Sequence, residues 1–159
     1  LAMIEFNFLE NYSFETGDLT GWTVNDLRAS DELYVEDKVT DSLTGTNHMH
    51  FWSAKNDSVE FTLEQTVDGL DSGRYKFQIS IMGGDAGVTD IYAYAKVNGE
   101  LAGTAPMGIT SYGNWDTGKV EPFCVESGDS VTVGIYVKCS GEGAGAWGKI
   151  DDAMLNSVE

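Results

Sequence analysis

Residues 74–82 read RYKFQISIM. Tyr75, Phe77, Ile79 and Ile81 fall on one parity and Lys76, Gln78 and Ser80 on the other, the period-two pattern of a strand with one buried and one wet face. Asp71-Ser72-Gly73 ahead of it supplies turn chemistry. The same alternation recurs on both sides. Upstream it runs through Leu33–Glu36 (LYVE), His48–Trp52 (HMHFW) and Val59–Val67 (VEFTLEQTV). Downstream, Tyr92, Tyr94 and Lys96 oppose Ala93, Ala95 and Val97, and the run ends at Asn98-Gly99, a strong hairpin signal. Val131, Val133, Ile135 and Val137 oppose Thr132, Gly134, Tyr136 and Lys138 after the turn residues Gly128-Asp129. No segment holds a 3.6-residue apolar period over ten or more residues, and no repeat is visible. The predicted fold class is therefore all-β, a β-sandwich or jelly roll of two antiparallel sheets.

The chain has 159 residues, the size of one ordinary domain, so residues 1–159 are expected to form a single binding unit with a core of its own. Its opening Leu1-Ala2-Met3 reads as an appended stretch (residues 1–3) or as a cut inside a longer polypeptide. Nine Lys and Arg against 26 Asp and Glu give a net charge of -17, which repels nucleic acid and anionic membrane surfaces and leaves neutral or cationic partners. No apolar run approaches the length of a membrane span. Cys124 and Cys139 would fall out of register in a hairpin about Gly128-Asp129, so both are expected as reduced, buried thiols.

Loops are expected at Asp41–Asn47, Met82–Asp90, Glu100–Asn114 and Ser140–Ala146, where function would sit. Trp22, between Gly21 and Thr23-Val24, has the setting of a core residue. Trp52 shares a face with His50, Trp115 lies in the polar run Tyr112–Asp116, and Trp147 ends a Gly-Ala loop. Indoles at polar sites stack on the C–H faces of sugar rings while Asn, Asp and His side chains bond hydroxyls; the competing reading is that each plugs a loop onto the core. The candidate carbohydrate contacts are Trp52, Trp115, Trp147, Tyr34, His50 and Asp85.

His48 and His50 would share a strand face at a spacing that can chelate zinc or copper. No third ligand adjoins them, so ordinary sheet-face histidines are favoured. Catalysis lacks a foothold: there is no G-x-S-x-G, Cys-His or phosphate-loop pattern, only a chance of a glycosidase-like carboxylate pair. Glu15 follows Phe14 and Asp151 sits near the far terminus; antiparallel terminal strands would bring them to one edge. A hard cation such as Ca2+ would then take both carboxylates with loop carbonyls, unless the acids are merely solvated.

NYSFETGDLTGW (residues 11–22) and GAGAWGKIDDAML (residues 143–155) resemble the galactose-binding-like β-sandwich carbohydrate-binding modules. The intervening HMHFWS, YKFQISIMGGD and VTVGIYVKCSGEG make the chain most similar to family 61, modules attached to bacterial endo-β-1,4-galactanases. The resemblance implies a non-catalytic, extracellular or cell-surface module, monomeric and linked to a catalytic domain. Its implied ligand is the neutral polysaccharide β-1,4-galactan of pectin. It also implies a structural Ca2+ at Glu15 and Asp151, with Ser13 and Asn47 as carbonyl ligands. Another neutral plant glycan, xylan or β-glucan, and a protein-interaction domain are the alternatives.

Overall fold

The computed structural model describes residues 5–28, 30–54 and 57–159, so the expectation about residues 1–3 lies outside the described residues. The strands are β1 (Thr23–Arg28), β2 (Glu32–Asp37), β3 (Asn47–Trp52), β4 (Ser58–Val67), β5 (Gly73–Gly84), β6 (Ala86–Val97), β7 (Glu100–Met107), β8 (Asp116–Val125), β9 (Val131–Gly141) and β10 (Trp147–Val158). They form two five-stranded antiparallel sheets, ordered β1-β4-β9-β6-β7 and β2-β3-β10-β5-β8. A 3-10 turn at Val39–Asp41 is the only helical element among the described residues.

The alternation of each strand decides what lies between the sheets. Tyr75, Phe77, Ile79 and Ile81 of β5 are buried there with Phe61 and Leu63 of β4, Met49 and Phe51 of β3, Ile135 of β9 and Ile150 of β10. Each such side chain contributes about 1.5–3 kcal/mol of burial, which makes the sandwich interior the main source of stability. The hairpin expected at Asn98-Gly99 joins β6 to β7, with both residues at positive φ (52° and 81°), as a tight primed turn requires.

Several expectations need correction. The strands flanking Gly128-Asp129 do not pair: β8 lies beside β5 and β9 between β4 and β6, so this turn carries the chain from one sheet to the other. Both cysteines are free, as expected, but only Cys139 is buried; Cys124 points outward on β8, an edge strand. Met82–Asp90 is not a loop, since β5 and β6 run through it with Asp85 at the corner, and β7 occupies most of Glu100–Asn114. Gly83, Gly84 and Gly103 there allow close sheet contacts instead. Tyr94, on the parity expected to be wet, is buried beside Tyr92.

The two chain ends do meet, although the N-terminal side is not a regular strand. Beyond Ile150, β3 no longer pairs with β10, and the vacated edge is taken by the N-terminal segment. Phe8 N donates to Leu155 O (2.9 Å), Ala153 N donates to Tyr12 O (3.0 Å), and the Asn7 amide bonds both Ala153 O and Leu155 N. Using a side chain for ladder bonds satisfies the backbone of β10 without strand geometry. Trp22 is buried as expected, its ring against Phe14 and its indole N–H donating to Asn11 O at 2.9 Å.

Candidate functional site

On the outer face of the second sheet, strand register lays side chains out as a grid. One row runs Glu32 (β2), Trp52 (β3), Trp147 (β10), Gly84 (β5); the next runs Tyr34, His50, Lys149, Met82. Residues two apart on a strand share a face, so Trp52 stands over His50 and Trp147 over Lys149. The missing side chain at Gly84 leaves room for the Trp147 indole, which would lie 3.2 Å from any Cβ placed there.

A groove of about 550 Å³ opens over this grid. Trp52, Trp147, His50 and Asp85 line it, together with Tyr112, Lys38, Asp41 and Lys149. The indoles are pinned by bonds to protein. Trp52 Nε1 donates to Ala144 O (3.0 Å) and Trp147 Nε1 to Asp85 Oδ2 (3.1 Å). Asp85 sits at the β5–β6 corner with φ 52°, a conformation that Asp tolerates better than most side chains. Gly145, at φ 104°, lets the 142–146 loop lie against Trp52, where a Cβ would meet the Ser53 carbonyl and the indole.

Below the indoles lies a charged network. Lys149, 6% exposed at its side chain, donates to Glu36 Oε1 (3.0 Å) and to His50 Nδ1 (2.7 Å), with Asp41 Oδ2 at 3.6 Å. An ammonium has no lone pair, so His50 Nδ1 must accept; the His50 proton is then on Nε2, donating to Glu32 Oε2 at 2.9 Å. The ring is held in one orientation by these two bonds. Burial would raise the Glu36 carboxyl, but the Lys149 hydrogen bond and charge outweigh it and hold it below the usual carboxylate range. Asp41 follows the same logic: burial opposes, while hydrogen bonds from Lys38 and Tyr112 bring it down. Burial, with Lys149 adding to it, pushes the His48 imidazole below its ordinary value. The H-x-H pair thus serves this network: His48 Nε2 contacts Glu36 Oε1 at 3.1 Å and its Nδ1 contacts Ser42 Oγ at 2.8 Å.

Four of the six candidates converge, then, and two stand apart. Tyr34 lies one strand outward, exposed, its ring 5.0 Å from that of His50. Trp115 is half-buried ahead of β8 and does not line the groove. Tyr112, three residues before it in the same polar run, does: its ring stands 6.5 Å from Trp147 and its hydroxyl bonds Thr40 O at 2.8 Å. The polar run does send an aromatic to the groove, but it is Tyr112 and not Trp115, a choice that depends on the fold of the loop. Lys149 was hidden because a lysine on a strand reads as solvated.

The second candidate cluster lies where the chain ends meet. Glu15 accepts from Thr46 N (2.7 Å) and Asn47 N (2.8 Å), and Asp151 Oδ2 from Leu43 N (3.0 Å) and Thr44 N (3.1 Å). The two carboxylates thus bracket one turn, Leu43–Asn47. Ser13 Oγ contacts Thr44 Oγ1 at 2.8 Å, and the Asn47 amide donates to Phe14 O. Asp151 is fully buried, and burial pushes its carboxyl up to about 7, against three backbone donors that pull the other way. Among the described residues no cationic side chain pairs with it, and no three His, Cys, Asp or Glu side chains form a metal-binding group. A buried acid with no cationic side chain to pair with, near a second acid, is a donor set of the kind a hard cation takes.

No family model and no curated protein matches the chain. Solved structures do. TmCBM61 in complex with beta-1,4-galactotriose superposes with a TM-score of 0.81 at 24% identity, covering 96% of this chain and 99% of that one. The CBM22-1 xylan-binding domain from Paenibacillus barcinonensis Xyn10C covers 100% and 99% at a TM-score of 0.60 and 14% identity. A family 16 carbohydrate-binding module covers 96% and 100% at 0.60 and 15%. The chain has the two-sheet fold of these modules, with TmCBM61 matched more tightly than the other two.

Proposed function

We propose that this chain is a non-catalytic carbohydrate-binding module and that its groove takes neutral β-1,4-galactan. The observation that carries the reading is the side-by-side placement of Trp52 and Trp147 on a groove floor, flanked by Asp85, His50 and Tyr112. β-Galactose presents one face with contiguous apolar C–H groups, which suits an indole, while polar side chains at the groove edge bond hydroxyls. The fold match to a module crystallised with beta-1,4-galactotriose supports galactan as the ligand. The charge of -17 supports a neutral glycan over polygalacturonate. Such a module would act outside the cell as a monomer, tethered to a glycoside hydrolase that it keeps near pectin side chains. Its weak contacts would then gain avidity from tethering.

Titration calorimetry with β-1,4-galactotetraose tests this. The expected affinity is micromolar to sub-millimolar, about 4 to 8 kcal/mol. No heat and no tryptophan fluorescence change at millimolar sugar would refute it. The fold match to a xylan-binding domain favours xylan as the second reading, which a glycan array separates from galactan.

The Glu15–Asp151 clasp is proposed to hold a structural Ca2+. Glu15 and Asp151 would supply the charge and Ser13 and Asn47 carbonyl oxygens, the ion fastening the N-terminal segment to β10.

A further inference from the structure

The opposite face of the sandwich carries a second organised strip. In the first sheet, register aligns Asn25 (β1), Thr62 (β4), Tyr136 (β9), Tyr92 (β6) and Pro106 (β7) as direct partners in one row across all five strands. The adjoining row is Glu64, Gly134, Tyr94. Gly134 has no side chain, and a Cβ there would press on Glu64, so the second row is notched at its centre. A groove of about 350 Å³ results, closed at its rims by Leu27 and Leu101, each about 60% exposed.

Its chemistry is that of the first groove in different residues. Tyr92 and Tyr136 stack, ring centroids 5.1 Å apart and 29° from parallel, presenting a flat aromatic step. Tyr136 is fixed by its hydroxyl donating to Glu60 at 2.6 Å, and the Asn25 amide bridges Thr62 Oγ1 and Glu64 Oε1. Side chains held this way are preorganised, so little entropy is lost when a ligand settles on them. None of this serves the interior, which lies on the sheet's other face. With strands about 4.8 Å apart, five strands span about 19 Å, the length of several linked sugar rings.

We infer that the Asn25–Thr62–Tyr136–Tyr92 strip is a second glycan-binding surface, for a neutral β-linked oligosaccharide, facing away from the tryptophan groove. The row flanking it is Arg28, Glu60, Lys138 and Asp90, charges of alternating sign that favour a neutral ligand over a polyanion or polycation, while Glu64 lines the groove and Lys96 lies over the Tyr94 ring at 5.4 Å. A protein partner would need continuous apolar area, but here apolar rims alternate with amide, hydroxyl and carboxylate groups, the pattern that sugar rings present in return. The inference does not rest on the tryptophan groove being a galactan site. If both bind, one molecule bridges two glycan chains.

The test is an amide-resolved NMR titration of the double variant Trp52→Ala/Trp147→Ala, in which the first groove is disabled. The probes are β-1,4-galactotetraose, xylohexaose and cellohexaose, each to about 10 mM, which covers affinities near 1 mM. The expected result is saturable shifts of the Asn25 side-chain amide and of backbone amides at 92–94 and 134–136 with at least one sugar. Tyr136→Ala should weaken them tenfold or more and Tyr136→Phe should keep them, thermal melts confirming that both variants fold. Shifts confined to other surfaces, or none with all three sugars, overturn the inference. Failure of the wild-type protein to show shifts at Trp52 and Trp147 would count against the galactan groove alone.

Discussion

Trp52 and Trp147 are direct partners across β3 and β10, and each indole N–H is bonded to a protein oxygen, Ala144 O and Asp85 Oδ2 respectively. With their N–H groups occupied, what the rings can offer a ligand is their faces. Removing a face removes dispersion and C–H stacking but no hydrogen bond to sugar. Trp52→Ala and Trp147→Ala should each weaken galactotetraose binding about tenfold or more, about 1.4 kcal/mol or more, with the loss in enthalpy. Trp115→Ala, outside the groove, should change affinity less than twofold. Calorimetry on the three variants checks this, and an equal loss for Trp115→Ala would move the site.

Asp85 orients the Trp147 indole, so its effect on binding should depend on the acceptor and not on the charge. Asp85→Asn keeps an acceptor oxygen and a side chain tolerant of positive φ, and should bind within about twofold of wild type. Asp85→Ala frees the indole and strains the corner, and should cost severalfold in affinity. Direct hydrogen bonding of the carboxylate to sugar would instead make Asn and Ala equally poor.

How far such detail is legible in the chain depends on range. RYKFQISIM and its sister runs spell the strands because alternation is a local consequence of the pleat, and Asn98-Gly99 spells its turn because two adjacent residues must take positive φ. The Gly128-Asp129 turn is as local, yet whether it closes a hairpin or crosses between sheets is decided by β8 finding β5, about 45 residues back. Trp52, Trp147, His50 and Asp85 were recognisable by type. Tyr112 and Lys149 were not, since one depends on a loop's course and the other on three partners drawn from β2, β3 and the 3-10 turn.

A cation binding only to the folded clasp would stabilise it by mass action, about 2.7 kcal/mol at one hundred times its Kd. Chelation should therefore lower the melting temperature by several degrees, and added Ca2+ should restore it. Asp151→Asn should abolish the calcium response while leaving galactan affinity nearly unchanged, because the clasp and the groove share no lining residue. A melting temperature indifferent to chelator, with no calcium by elemental analysis, would remove the metal from the account.

The network under the groove sets an acid limit. Glu36 and Asp41 are held below their ordinary values of 4.5 and 3.8, so the unfolded chain takes up their protons first as pH falls. The stability they contribute is complete above those ordinary values and is lost progressively below about pH 4.5. Their protonation also leaves Lys149 a buried ammonium without counter-charge, the costly half of a broken ion pair. Glu36→Gln should cost about 1–3 kcal/mol at pH 7, the partial exposure of the carboxylate keeping it below the full buried-pair value, and should flatten the stability profile between pH 5 and 3. Denaturant melts of wild type and variant across that range decide it: parallel profiles would mean that Glu36 is not the group that titrates, and convergence at low pH that it is.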